Sequence, residues 1–184
     1  MSGAMRTRLC LWLLFFALPV YAQMQHEKPN GLLLVAKPGL LDPNFRETVV
    51  LVSQATDGST VGVILNRATP RRHDGTGEPI GFGGPVMREV LVTLFRSARA
   101  PDAPAFHVLK GVYLSMRPEH VEQAVENRRL FAGFAGWAPG QLESELARED
   151  WFVLPANAEL VFRNDVNGMW EELVRKARGR VAMR

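Results

Sequence analysis

The chain has 184 residues, of which 47% are hydrophobic and 22% charged, with 16 Gly, 12 Pro and one Cys. That composition fits one globular domain and excludes a disordered chain, a collagen and a disulfide scaffold. The pI of about 9.4 is a property of the chain ends: residues 23–174 carry 15 basic and 19 acidic side chains, whereas Arg175, Lys176, Arg178, Arg180 and Arg184 close the sequence without an acid.

Residues 1–22 have the order of a secretory signal peptide. Arg6 and Arg8 lead, an apolar run from Leu9 to Leu18 follows, and Val20 and Ala22 put small residues at the cleavage positions after Pro19. The run is about half the roughly 20 residues of a spanning helix. Export to the periplasm or beyond, with cleavage after Ala22 and no membrane anchor left, is the expectation. Cys10 departs with the signal, so the mature chain from Gln23 to Arg184 has no cysteine, which excludes disulfides, thiol catalysis and Cys-based metal sites. Gln23 to Asn30 is polar and reads as a flexible mature N-terminus.

Gly31 to Ala36 is a continuous apolar run, the pattern of a strand buried on both faces. Pro38-Gly39 turns the chain, and Asp42-Pro43-Asn44-Phe45 forms a capped helical turn, Asp serving as N-cap and Pro as first helical residue. Thr48 to Gln54 and Thr60 to Leu65 pair as a hairpin across Asp57-Gly58. A polar loop, residues 68–79, leads into Gly81-Phe82-Gly83-Gly84-Pro85, a tight-turn sequence that could also present main-chain N–H groups to an anion. Glu89 to Arg96 is a strand. Phe106 to Leu109 and Val112 to Leu114 form a second hairpin around Lys110-Gly111, and Pro118 to Asn127 an amphipathic helix. Leu130 to Phe134 is a short strand, Gln141 to Arg148 a helix, and Trp151 to Leu154 and Glu159 to Phe162 the last strands. Asp165 or Asn167 caps a closing helix whose buried stripe is Met169, Trp170, Leu173 and Val174. Hairpins with interspersed helices, and no sustained βαβ alternation, predict one α+β domain.

Chemistry is sparse. His26, His73, His107 and His120 share no metal-ligand spacing, GxSxG is absent, and neither a P-loop nor a dinucleotide fingerprint occurs, so no catalytic set, metal or cofactor is expected. Polar residues do sit oddly beside apolar ones at Asp42, Phe45 and Arg46, at Asn66-Arg67, and around Trp137 and Gln141. Arg67 at a strand end offers a planar fork of donors for a carboxylate or phosphate. Glu143 and Glu145, two apart on a helix, do not face one another as an acid and base pair.

These spots carry a resemblance. Leu34 to Pro38, Leu41 to Arg46, Gly62 to Arg67, Gly83-Gly84-Pro85, Gly133 to Trp137 and Gly140 to Glu143, in this order, resemble the YqgE/AlgH family over about residues 31–175, with the basic tail 176–184 beyond. The resemblance implies an α+β domain with a mixed, bifurcated sheet and a small barrel-like core flanked by helices. Compared with the family, the 68–80 stretch is short and the signal peptide is an addition. One branch of the family carries a transcriptional-regulator name, which an exported protein does not inherit. The leading reading is a binding or interaction module whose cleft is lined by Asp42, Phe45, Asn66, Arg67, Gly83, Gly84, Pro85, Trp137 and Gln141, its partner a small anionic ligand or a protein and not a nucleic acid. The alternative is a metal-independent hydrolase or transferase with Asp42 or Glu143 as base and Arg67 as anion clamp.

Overall fold

A computed structural model describes residues 28–117 and 127–181. The expected signal peptide, the start of the mature chain with His26, the helix from Pro118 with His120, and the last three residues lie outside them. Nine strands form one sheet: β1 Leu32–Ala36, β2 Val49–Gln54, β3 Thr60–Ile64, β4 Ile80–Phe82, β5 Val86–Arg96, β6 Phe106–Leu109, β7 Val112–Ser115, β8 Arg128–Trp137 and β9 Trp151–Pro155. Among the described residues three helices accompany them, α1 Gln141–Ala147, α2 Ala158–Val161 and α3 Met169–Val181. The strand order is β6-β7-β5-β8-β3-β2-β1-β9, with β4 on β8 outside that path. All pairs are antiparallel except β4 with β8.

The apolar runs of β1 and β2 are explained by cover on both faces. On one side Leu33, Val35, Val49 and Leu51 pack with Leu154 and with Met169, Leu173, Val174 and Ala177 of α3. On the other, Leu34, Ala36, Val50 and Val52 meet Trp137, Trp151 and Leu142 of α1, with Phe45 closing over them. Each such side chain contributes about 1.5–3 kcal/mol when fully buried. The α3 stripe recurs at three- and four-residue intervals, as a helix laid on a sheet requires. Trp170, partly buried at its margin, donates from Nε1 to Ala36 O at 2.8 Å.

β8 organises the rest. Along one edge it is parallel to β4 through Leu130–Ala132 and then antiparallel to β3 through Ala135–Trp137; its other edge carries β5. Gly133 stands between the two partners with φ 69°, and an added Cβ there would lie 2.7 Å from both Gly84 O and Val86 O. Only glycine permits this turn of the strand at so close an approach.

Several expectations change. The sheet is not closed into a barrel: β6 and β9 are its two ends, and the single backbone bond from Gly31 N to Val108 O, 2.8 Å, joins β6 to the start of β1 without a ladder. β8 is ten residues long rather than five, and β5 begins three residues early, at Val86, across a bulge. Gly81-Phe82 belong to a strand, not a turn. The Glu159 to Phe162 segment is a helical turn, because Asn157 accepts from Leu160 N at 2.9 Å and caps it. Neither Asp165 nor Asn167 stands directly at the start of α3: Gly168 O accepts from Glu172 N, while the Asp165 carboxylate holds Asn167 N. Asn30 is tied down, donating to Gln54 O and accepting from Ser53 Oγ. The basic residues from Lys176 to Arg180 continue α3, where cations suit the C-terminal end of the helix dipole. No helix among the described residues is long and apolar enough to cross a membrane.

Candidate functional site

Asp42, Phe45, Asn66, Arg67 and Trp137 are linked around one turn, and Gly83, Gly84 and Pro85 lie at a strand crossing. The turn after Asp42 is built as expected, Asp42 O accepting from Phe45 N and Arg46 N and its carboxylate from Asn44 N at 2.7 Å. Asn66 fastens that turn to the sheet, accepting from Val49 N at 2.8 Å and donating to Glu47 O at 2.9 Å. Arg67 Nη2 reaches over the same turn to Pro43 O and Arg46 O, at 3.2 and 3.1 Å. Phe45 stacks on Trp137 and meets Trp151 edge-on, both with centroids 5.7 Å apart. Gln141 is the first residue of α1, and its Oε1 accepts from Ala138 N in the turn before the helix. Gly83 carries a strand crossing, donating to Ala132 O and accepting from Ile64 N, both at 2.9 Å. Gly84 lies against Phe134 too closely to admit a Cβ, and Pro85 follows at the entry to β5.

Of these nine, Asn66 and Arg67 border cavities. A polar groove of about 390 Å³ lies between Arg46, Asn66 and Arg67 on one side and the start of α3 on the other. Behind Arg67 a second cavity, about 370 Å³, is lined by Leu65, Thr69, Glu78, Ile80, Arg128, Arg129, Leu130, Asn164 and Val166 among others. Both fall within the roughly 300–1,000 Å³ of small-ligand pockets. The second is the more apolar in its walls, yet three arginines border it. Arg67 also lies 6.0 Å, and Arg88 5.4 Å, from the Phe82 ring centroid, so two guanidinium groups attend that ring.

The three lining arginines differ electrostatically. Burial, with Arg46 nearby, holds the Arg67 guanidinium below its ordinary pKa. Arg128 forms a bidentate pair with Glu78, Nε lying 2.9 and 3.0 Å from the two oxygens, and this raises Arg128 while holding the Glu78 carboxyl below its usual range. Arg129 has no such partner among the described residues. Nη1 donates to Val161 O at 2.9 Å and Nη2 to Leu65 O at 2.7 Å, and desolvation lowers its pKa to about 10.

Arg128 and Arg129 were not among the sequence candidates. Their adjacency at the head of an apolar strand was the available signal; adjacent strand residues point to opposite faces, and the cavity wraps the edge of β8 so that both reach it. Among the described residues no group of three or more His, Cys, Asp or Glu is placed to hold a metal ion.

The Glu78–Arg128 pair straps the 68–79 loop to β8. Because the folded Glu78 carboxyl sits below 4.5, the pair's contribution is complete above that pH and disappears as pH falls through the folded-state value. Glu78→Gln is therefore expected to lower stability near pH 7 and to match the wild type once the wild-type Glu78 carboxyl is protonated. Urea unfolding of the two proteins between pH 7 and pH 3 checks this; a difference that persists undiminished at the acid end would count against the strap.

Fold and cavity together define a single-domain α+β protein with one mostly antiparallel sheet and an arginine-bordered pocket beside its central strand. The AlgH-like family model matches residues 33–182, and the chain belongs to that family. It is 36% identical to a UPF0301 protein of Thermobifida fusca over 88% of this chain and 93% of that protein. With a UPF0301 protein of Streptomyces coelicolor the identity is 37% over 84% and 89% of the two chains. The crystal structure of a Corynebacterium diphtheriae protein superposes with a TM-score of 0.66 at 27% identity, covering 88% of this chain and 94% of that one. The solution structure of AlgH from Pseudomonas aeruginosa gives 0.66 at 23% identity, over 84% and 92%, and shares the fold.

Proposed function

We propose that this AlgH-like protein is an exported binding module that holds a small anionic ligand in the cavity behind Arg67. One observation carries the reading: Arg67, Arg128 and Arg129 border a space with apolar walls, and two of the three, Arg67 and Arg129, donate to main-chain carbonyls and have no carboxylate ion pair among the described residues. A cation desolvated without a counter-ion is costly, and an anion in the cavity relieves that cost.

The catalytic alternative finds less support. Asp42 is exposed and its carboxylate is engaged in its own turn, Glu143 is exposed on α1, and the Thr69 hydroxyl beside the cavity donates to Ile80 O. Among the described residues no cavity-lining group pairs a nucleophile with a base. Export rests on the Arg6 to Ala22 pattern, and it sets aside regulation by DNA contact.

Native mass spectrometry of the protein, purified gently from the exported fraction of its own host, tests both parts. The expected polypeptide mass starts at Gln23, and the expected complex retains a small acidic molecule that is released on denaturation. A chain still carrying residues 1–22 would refute export. A ligand-free monomer would refute the binding reading.

A further inference from the structure

Arg129 occupies a place where a cation is ordinarily matched by a carboxylate. Among the described residues its hydrogen bonds go to main-chain carbonyls, Val161 O and Leu65 O, and its guanidinium lies 5.0 Å from the Phe131 ring centroid. Carbonyl dipoles and a ring face hold the group in place without cancelling its charge. A guanidinium has several more N–H donors than these two bonds use, arranged as a fork that fits a planar carboxylate.

The cavity has two unlike sides. Leu65, Ile80, Leu130 and Val166 supply an apolar wall, and the arginines supply the charged border. Glu78 is part of the same lining and already neutralises Arg128. Its negative charge opposes a doubly charged ligand more than a singly charged one, since like charges at short range are mutually destabilising.

We infer that the cavity takes a small monocarboxylic acid with an apolar body, the carboxylate held by the Arg129 fork and the body lying against Leu65, Ile80, Leu130 and Val166. The inference rests on the binding reading above and adds the ligand class and its anchor. Arg67, on the rim of both cavities, adds to the attraction from the open side.

Octanoate, octyl phosphate and octylammonium serve as probes on the wild-type protein, followed by the Arg129 side-chain Nε resonance and by Tm. Octanoate is expected to move that resonance and to raise Tm with concentration, as any ligand selective for the folded state does. Octylammonium is expected to do neither, and octyl phosphate to bind at least tenfold more weakly than octanoate. Arg129→Met is expected to weaken octanoate at least tenfold, and Arg129→Lys by a smaller factor, since Lys keeps the charge and loses the fork. An unmoved Arg129 resonance at saturating octanoate, or octylammonium binding as well as octanoate, overturns the carboxylate assignment. Equal binding of octyl phosphate overturns the preference for a single charge. The resonance is read on the wild type, so the test stands even where Arg129→Met does not fold. A short apolar peptide with a free C-terminal carboxylate that binds more tightly than octanoate overturns the small-acid reading in favour of a chain terminus. The two readings fail separately. A ligand retained from the host that Arg129→Met does not release removes the anchor and leaves the binding protein, whereas a ligand-free host protein that also ignores octanoate removes both.

Discussion

Gly83→Ala is expected to cost about 3 kcal/mol or more, at the upper end of what overpacking a tight site does. An added Cβ at Gly83 would stand 2.1 Å from Gly133 O and 2.9 Å from Phe131 Cβ. The nearest atom is backbone of the central strand, so no rotamer change can relieve the contact. The same residue donates to Ala132 O and accepts from Ile64 N, which makes it the stitch between β4, β8 and β3. Moving Gly83 away from Gly133 would therefore lengthen both bonds, and the cavity wall formed by Ile80 and Leu130 would open with them. Gly179→Ala is the matching control. Gly179 lies exposed on α3, its Cβ would meet nothing within 4 Å, and its φ is not in the left-handed range. Helix propensity then predicts a gain of about 0.8–1 kcal/mol. Thermal unfolding of the two variants should move Tm in opposite directions, down by roughly 10 °C and up by roughly 3 °C for a chain of this size. A Gly83→Ala protein with wild-type Tm would mean that the crossing is looser than its geometry implies.

What the sequence made legible follows from how local the cause was. The Asp57-Gly58 and Lys110-Gly111 hairpins were readable because their glycines adopt positive φ, 82° and 67°, as the turns demand. The double burial of β1 was readable from an uninterrupted apolar run. β8 was not, because Gly133 breaks its pattern for a reason that lies elsewhere in the chain, at Gly84 and Val86, and arginine at positions 128 and 129 hid the start of its pairing. Residues 159–162 carry too few apolar positions to separate period 2 from period 3.6, and the deciding element was the Asn157 cap. Phe45 and Trp137 touch through their rings, but the bonds that tie Asn66 and Arg67 to the same turn end on main-chain carbonyls and an amide, which no residue type announces. Arg129 was missed for a related reason: its acceptors, Leu65 O and Val161 O, lie 64 and 32 residues away in the chain.

Glu145 is the other position where one side chain decides a large energy. Trp137 and Trp151 both donate from Nε1 to the same oxygen, Glu145 Oε2, at 2.9 Å. The two indoles are 3% and 4% exposed, so water cannot replace that acceptor without repacking. Glu145→Ala leaves two buried donors unpaired, and at about 1–3 kcal/mol each the expected loss is about 2–6 kcal/mol. Glu145→Gln keeps a carbonyl oxygen with two lone pairs and loses the charge on it, so its expected cost is about 1 kcal/mol. Urea unfolding with an unchanged m value separates the two variants, and equal losses would show that packing of the side chain, not acceptance from the indoles, is what matters. The consequence extends beyond α1. Phe45 rests on both indoles, and it belongs to the turn whose carbonyls at Pro43 and Arg46 hold Arg67. Loosening the tryptophan pair therefore loosens the turn and frees the guanidinium on the cavity rim. In Glu145→Ala, hydrogen exchange at the Phe45 and Thr48 amides should accelerate together, since both donate within that turn, while the amides of α3, anchored on the opposite face of the sheet, should keep their protection relative to the global stability.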